Sequence, residues 1–269
     1  MHRARDPPRD RQGLAGRAGT PTDRTHQRVP PWRRMNVLEL FAGIGGFGLG
    51  LERAGMTVVG QVEINPFCQQ VLAQHWPEVP RHDDVRTTAT WWHSQPRPHV
   101  DLVAGGFPCQ PSSEAGPRLG TSDPRWLWPA MADVVADLRP RWVLWENVPG
   151  LLTRGLDIVH TDLVRLGYRH RVGWASACAV GAPHARKRLF GVAHTDTPRR
   201  DTGSGLRPTR TTPVRTRRWP AEPDVGRVAH GLPGRVDRVA ALGNAVVPHL
   251  AEHLGRLISA VHDERRSAA

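Results

Sequence analysis

The chain has 269 residues, 39% hydrophobic and 23% charged, with a formal net charge of +12 at pH 7. That length buries one sizeable core with an attachment, and the positive surplus favours an anionic polymer as partner over a small neutral metabolite. No run of about 18 apolar residues and no apolar leader is present, so neither a membrane span nor secretion is expected. All basic residues but Lys187 are arginine; so complete a bias also reflects GC-rich coding, and basicity alone does not identify nucleic acid as the partner.

Residues 1–34 are dominated by Arg, Pro, Gly and Asp and offer almost nothing to bury, which predicts a disordered basic tail. Met35 directly precedes the first strand, so an over-extended start is preferred here to a DNA-tethering arm. The pattern then changes abruptly. Asn36–Phe41 reads as a strand running into the glycine cluster AGIGGFGLG, and Leu49–Ala54 reads as a helix. A second strand, Thr57–Val62, precedes a helix over Pro66–His75. A third apolar run, Val100–Ala104, leads into GGFPCQP, and Trp126–Leu138 places Leu127, Met131, Val134, Val135 and Leu138 on one helical face. A fourth strand, Trp142–Trp145, ends at Glu146-Asn147.

This alternation predicts an α/β, Rossmann-like, mostly parallel sheet with helices on both faces. Ligands of such sheets bind outside the carboxyl ends of the strands, where AGIGG, GFPCQP and ENVPG all fall. Residues 35–194 are therefore read as the catalytic and cofactor-binding domain. Residues 195–235, rich in Arg, Thr, Pro and Gly, lack an amphipathic period and read as a short insert. In 236–269 a stripe of Leu250, Leu254, Leu257, Ile258 and Val261 predicts a helix packing back on the sheet.

Gly43, Gly45 and Gly46 follow a strand and open a helix, the context in which a glycine turn approaches a ligand closely. Glu63, twenty residues beyond Gly43, can accept from both hydroxyls of a ribose, and Asp84 can accept from an adenine amino group. Without a G-K-[ST] phosphate cradle, a dinucleotide or S-adenosylmethionine remains as the ligand. Cys109 stands between Pro108 and Pro111 just past an apolar strand, where fixed backbone holds the thiol in one direction. A free thiol is only a few per cent thiolate at neutral pH unless its surroundings lower its pKa. Cys68 and Cys178 are read as small core residues. No C-x-x-C and no H-E-x-x-H occurs, so a disulfide scaffold and a metal site are not expected and a reduced cytosolic setting fits. Glu146, at the end of an apolar strand, is costly to bury ionised. Arg186 and Arg188, two apart, would share one side of a strand and could hold a carboxylate, carbonyl or phosphate.

The stretches LELFAGIGGFGLGLERAG, GGFPCQPSSEAG, LWENVPGLL, ARKRLFGVA and RVDRVAALGNAVVP, in that order and with Glu63 among them, resemble the DNA cytosine-5 methyltransferases, and W-x-x-EPDVGRVAHG resembles their small bacterial and phage members. The resemblance implies a class I S-adenosylmethionine-dependent methyltransferase fold. It further implies a target cytosine flipped out of duplex DNA, Cys109 as the nucleophile at C6, and Glu146 holding N3 and the exocyclic amine. Arg188 would contact the cytosine carbonyl, and Arg186 would orient Cys109 or a phosphate. S-adenosylmethionine would lie against Phe41, Ala42, Gly43, Gly45, Gly46, Glu63, Ile64, Asp84, Val85, Pro108, Asn244 and Val246. Gln110, Ser113, Asn147 and Val148 would line the substrate side, and 195–235 would be the target-recognition insert.

The implied setting is bacterial restriction-modification or phage self-protection, in the cytoplasm, as a monomer, with a cognate restriction endonuclease as a further partner. Glu39 replaces the usual Asp of the first motif, His184 replaces a Gln and Ser112 an aromatic residue. An RNA cytosine-5 methyltransferase and an inactive cofactor- or DNA-binding remnant stand as alternatives, and a nicotinamide-dependent oxidoreductase as a distant one.

Overall fold

Strands that are apolar on both faces end up inside a parallel sheet covered by helices on each side, and the middle of this chain is built from them. A computed structural model describes residues 34–108, 126–195 and 235–267. Its strands are β1 (Asn36–Leu40), β2 (Thr57–Val62), β3 (Arg81–His82), β4 (Leu102–Gly105), β5 (Trp142–Asn147), β6 (Tyr168–Ser176) and β7 (Lys187–Thr195). They form one sheet in the order β3-β2-β1-β4-β5-β7-β6. The first five pair in parallel, and β7 runs antiparallel to both β5 and β6. Every residue of β4 and β5 is buried, as are four of the five in β1.

The helices are α1 (Gly46–Arg53), α2 (Pro66–His75), α3 (Thr88–His93), α4 (Trp128–Leu138), α5 (Leu156–Arg165), α6 (Arg235–Asn244) and α7 (Pro248–Ser267). One core joins the sheet to α3, α4 and α5 through residues such as Trp92, Met131, Val135, Val159 and Leu163; the opposite core joins it to α1 and α7 through Phe47, Leu51, Leu250 and Ile258. This is the doubly wound architecture expected from the sequence.

Four details differ from that expectation. The first helix starts at Gly46 rather than Leu49, because Gly45, at φ 83°, turns the chain directly into it. The fourth strand runs on through Glu146 and Asn147, which pair with Phe190 and Leu189 of β7. The strand containing Arg188 begins at Lys187, so Arg186, at φ 24°, precedes it. Strands β3 and β6 and helices α3, α5 and α6 complete the fold without having been singled out. β3 has only two residues, and β6 buries only Tyr168 fully; neither offers an apolar run to read. The basic tail up to residue 33 and residues 196–234 of the insert lie outside the described residues.

Candidate active site

A cleft of about 660 Å³ opens at the carboxyl ends of the parallel strands. Its walls contain thirteen of the residues expected there: Phe41, Gly43, Glu63, Ile64, Asp84, Val85, Pro108, Glu146, Asn147, Val148, Arg186, Arg188 and Asn244. Cys109, Gln110 and Ser113 lie outside the described residues. Pro108, the residue before Cys109, is on the wall, and its carbonyl accepts from the Leu127 N–H at 3.5 Å.

The half of the cleft over β4 and β5 is built around Glu146. Its side chain is buried, and Arg188 Nε lies 3.0 Å from Glu146 Oε1. Burial pushes the carboxyl's pKa above the ordinary range, against the opposing pull of Arg188 and Arg186. A carboxyl so buried holds its proton more readily than an exposed one. The approach of β4 is equally tight: a side chain added at Gly106 would sit 3.1 Å from Glu146 Oε2.

Behind this half the Phe107 ring packs against Trp126, Trp128 and Trp145, with centroids 5.7, 5.2 and 6.0 Å away. These buried rings give β5 an apolar backing. The indole of Trp145 donates to His170 Nε2 at 3.1 Å, and burial pushes the His170 pKa down to about 4, which keeps that acceptor neutral.

Asn147 departs from the substrate-facing role expected of it. Its side-chain amide donates to the Phe107 carbonyl at 2.8 Å, and its Oδ1 accepts from the Val148 N–H at 2.8 Å. It is buried and ties the end of β5 to the backbone leading into Cys109. The terminal nitrogens of Arg186, which also lines the cleft, donate to the carbonyls of Gly243 at 2.6 Å and Ala245 at 2.8 Å. It thereby ties the end of α6, where Asn244 lies, and the turn that follows it to the cleft.

The half over β1 and β2 is more open. Glu63 accepts from the Gly43 N–H at 2.7 Å and from the Asn65 N–H at 2.8 Å, so two backbone amides fix its carboxylate. Gly43 lies at φ 55°, a conformation that favours glycine. Asn65 also caps α2, accepting from Phe67 and Cys68 N–H, with Pro66 at the first helical position. Asp84 accepts from the Arg86 N–H at 2.9 Å. Phe41, Val85 and Ile64 supply apolar surface, and the Ile64 side chain is 70% exposed.

Gly45, Gly46 and Val246 line a second hollow of about 530 Å³ rather than the main cleft. A side chain at Gly46 would run into the Val246 carbonyl, so Gly46 permits close packing of α1 against the α6–α7 turn. Ala42 is buried, its N–H donating to Val62 O. Glu39 is enclosed beneath α1, accepting from the Gly48 N–H at 2.9 Å and from Gln61 Nε2 at 3.3 Å, with burial pushing its pKa to about 7. The Asp-to-Glu departure therefore affects the packing of β1 on α1, not the wall of the main cleft. Cys68 is buried as expected but reaches the wall of the cleft, where burial pushes its thiol to about 11; Cys178 is exposed, not a core residue. His184 lines the second hollow, and Ser112 lies outside the described residues.

Sequence reasoning missed Asp237, Ala240 and Ala241, which line the cleft together with Asn244. Their spacing of i, i+3, i+4 and i+7 puts all four on one face of α6, a signal that was legible. It also missed Phe107, Leu127 and Arg86. Among the described residues no group of three or more His, Cys, Asp or Glu could hold a metal ion.

Similarity to known proteins agrees with this geometry. The chain is 33% identical over 168 residues to the Bacillus subtilis Type II methyltransferase M2.BsuMI, covering 59% of this chain and 42% of the relative. It is 38% identical over 167 residues to M.Eco47II of Escherichia coli, covering 58% and 39%. It therefore spans about half or less of the curated relatives it matches. Similar solved structures include Schizosaccharomyces pombe Dnmt2 methyltransferase, with a TM-score of 0.51, 26% identity and coverage of 62% of this chain and 53% of that one. A protein described as a DNA modification methyltransferase of an E. coli prophage matches with a TM-score of 0.50, 28% identity and coverage of 60% and 47%. The model of the C-5 cytosine-specific DNA methylases matches residues 35–230, and the chain belongs to that family.

Proposed function

We propose that the protein is a DNA (cytosine-5)-methyltransferase using S-adenosylmethionine as methyl donor, with a flipped-out cytosine of duplex DNA as acceptor. The observation that carries this reading is one cleft holding both a buried Glu146 paired with Arg188 and the wall residue Pro108 that precedes Cys109. Cytosine is a poor electrophile at C6. A thiolate alone adds to it slowly, and a proton donor at N3 lets the developing charge be neutralised as the C6–S bond forms. Glu146, held above the ordinary carboxylate range by burial, suits the N3 edge. The guanidinium of Arg188 beside it suits the carbonyl oxygen. Loss of the C5 proton after methylation returns the electron pair that expels the Cys109 thiolate.

The other half of the cleft fits S-adenosylmethionine in shape and charge. Acidic Glu63, Asp83, Asp84 and Asp237 line it with apolar Phe41, Ile64 and Val85, matching a cationic sulfonium joined to a nucleoside. Phe41 would lie against the adenine, Asp84 would accept from its amino group and Glu63 from the ribose. When bound, this cofactor supplies an electrophilic methyl group on a positively charged sulfur. The chain's own part is to hold the ribose and purine, to orient the pyrimidine through Glu146 and Arg188, and to exclude water with the aromatic backing of Phe107. We assign target recognition to residues 195–235, whose arginines suit phosphate contacts.

Incubating the purified protein with tritiated S-adenosylmethionine and either duplex DNA or tRNA, followed by base analysis, tests the reading. Label in 5-methylcytosine from DNA is expected. Label confined to RNA would transfer the chemistry to the RNA alternative, and no label in either would leave the remnant.

A further inference from the structure

We propose that the exposed edge of the β6–β7 hairpin, beyond the cleft wall to which Arg186 and Arg188 belong, is a nucleic-acid contact surface that takes the phosphate backbone and an adjoining base beside the target cytosine. The proposal rests on the methyltransferase reading above and identifies where the strand runs as it leaves the cleft. From Tyr168 to Thr195 the chain carries Arg169, Arg171, Arg186, Lys187 and Arg188 and not one carboxylate. Among the described residues β6 pairs on one side only, with β7, and Arg171, Val172, Gly173 and Trp174 are exposed in succession along it. The Trp174 side chain is 45% exposed, and Lys187 Nζ lies 4.6 Å from its ring centroid. Charge on an edge strand is a common guard against aggregation, but such a guard gives no reason for a half-exposed indole. An aromatic ring carrying a cation at the edge of a carboxylate-free ribbon is the combination that stacks a base and meets its phosphate.

The sheet register sets the distance. Trp174 is paired with Leu189, and Leu189 with Asn147, so the three lie in one row across β6, β7 and β5. Neighbouring strands are about 4.8 Å apart, which puts Trp174 roughly 10 Å from the end of β5, about three base-pair rises along a duplex. That is the reach of nucleotides flanking the one held at Glu146. Arg171 projects from the opposite face of the ribbon, so a backbone lying along the open edge passes both it and Lys187. Such contacts are sequence-independent, and they would supplement the target-recognition stretch of only about 40 residues.

The test is a salt titration of duplex-DNA binding by the full chain and by its Lys187→Ala, Arg171→Glu, Trp174→Ala and Trp174→Phe variants, with S-adenosylmethionine affinity as the control for folding. Lys187→Ala and Arg171→Glu are each expected to weaken DNA binding about five- to tenfold and to lower the slope of log K against log salt by about 1. Trp174→Ala should cost about tenfold, and Trp174→Phe should recover most of it. Unchanged affinity and slope in all variants that still bind S-adenosylmethionine would overturn the proposal. So would a loss of tRNA binding alone, or loss of a protein partner with DNA binding intact. A wild-type chain that binds duplex through these residues yet transfers no methyl group would refute the methyltransferase reading and leave this one standing. Full methyl transfer with unaffected variants would do the reverse.

Discussion

The two halves of the cleft each present a glutamate, and they treat it in opposite ways. Glu146 is buried beside an arginine, and desolvation drives its pKa up. Glu63 sits at an open rim, and two backbone amides hold its oxygens. A carboxyl pushed upwards is suited to donating or sharing a proton, whereas one pinned by amides is suited to accepting hydrogen bonds from hydroxyls. Under the proposed function the same side chain would serve reaction chemistry on one side and ligand positioning on the other, and only the surroundings differ.

That contrast predicts a graded set of effects. Glu146→Gln should lower kcat by about 10²–10⁴ while leaving the dissociation constant for S-adenosylmethionine within about twofold, measured by steady-state kinetics and calorimetry. An unaffected kcat would remove Glu146 from the reaction. Asn147→Ala cuts the hydrogen bond to the Phe107 carbonyl. It should reduce kcat about ten- to hundredfold, as expected for a buried polar group left unpaired, again without weakening cofactor binding; a defect in cofactor affinity alone would contradict its place in the reaction half. Glu63→Gln should show the converse pattern. Cofactor affinity should drop about tenfold, with kcat recovered at saturation, and a fall in kcat at saturating cofactor would erase the distinction between the halves.

A third glutamate sharpens the comparison through stability. Burial raises Glu39 from 4.5 to about 7, so the folded state binds its proton more tightly than the unfolded chain does. The associated stability is full below pH 4.5, declines as pH rises and is gone above about pH 7, a loss on the order of a few kcal/mol. Glu39→Gln should remove that decline. Its Tm is expected to overtake wild type by several degrees at pH 8, and parallel pH profiles for the two proteins would contradict the burial account.

Much of this arrangement was legible because the informative signals were local. Apolar runs ending in glycine or proline placed β1, β4 and β5, and motifs at their carboxyl ends brought Phe41, Pro108 and Glu146 to one cleft. What escaped depended on pairing between distant segments. β6 exposes Arg171 to Trp174, so it lacks the buried alternation by which strands are recognised, and it forms because β7 offers an edge. Arg186 reads as a holder of a carboxylate, a carbonyl or a phosphate, and which of these it meets is decided by the end of α6 and the turn after it, which supply two carbonyls. Gly46 and Val246 read as cofactor contacts, and they prove to pack against each other at the wall of a second hollow. In each case the residue type was informative about chemistry, and the partner was fixed by tertiary packing that spacing along the chain does not encode.

The most direct measurement is mass spectrometry of the protein incubated with S-adenosylmethionine and a duplex whose target cytosine carries fluorine at C5, which cannot leave as a proton does. A stable adduct between the DNA and the peptide containing Cys109, absent in Cys109→Ala and much slower to form in Glu146→Gln, is the predicted result. Methylation of ordinary DNA with no adduct on the fluorinated duplex, or an adduct at Cys68 or Cys178 instead, would contradict the claim that positions 109 and 146 act on one pyrimidine.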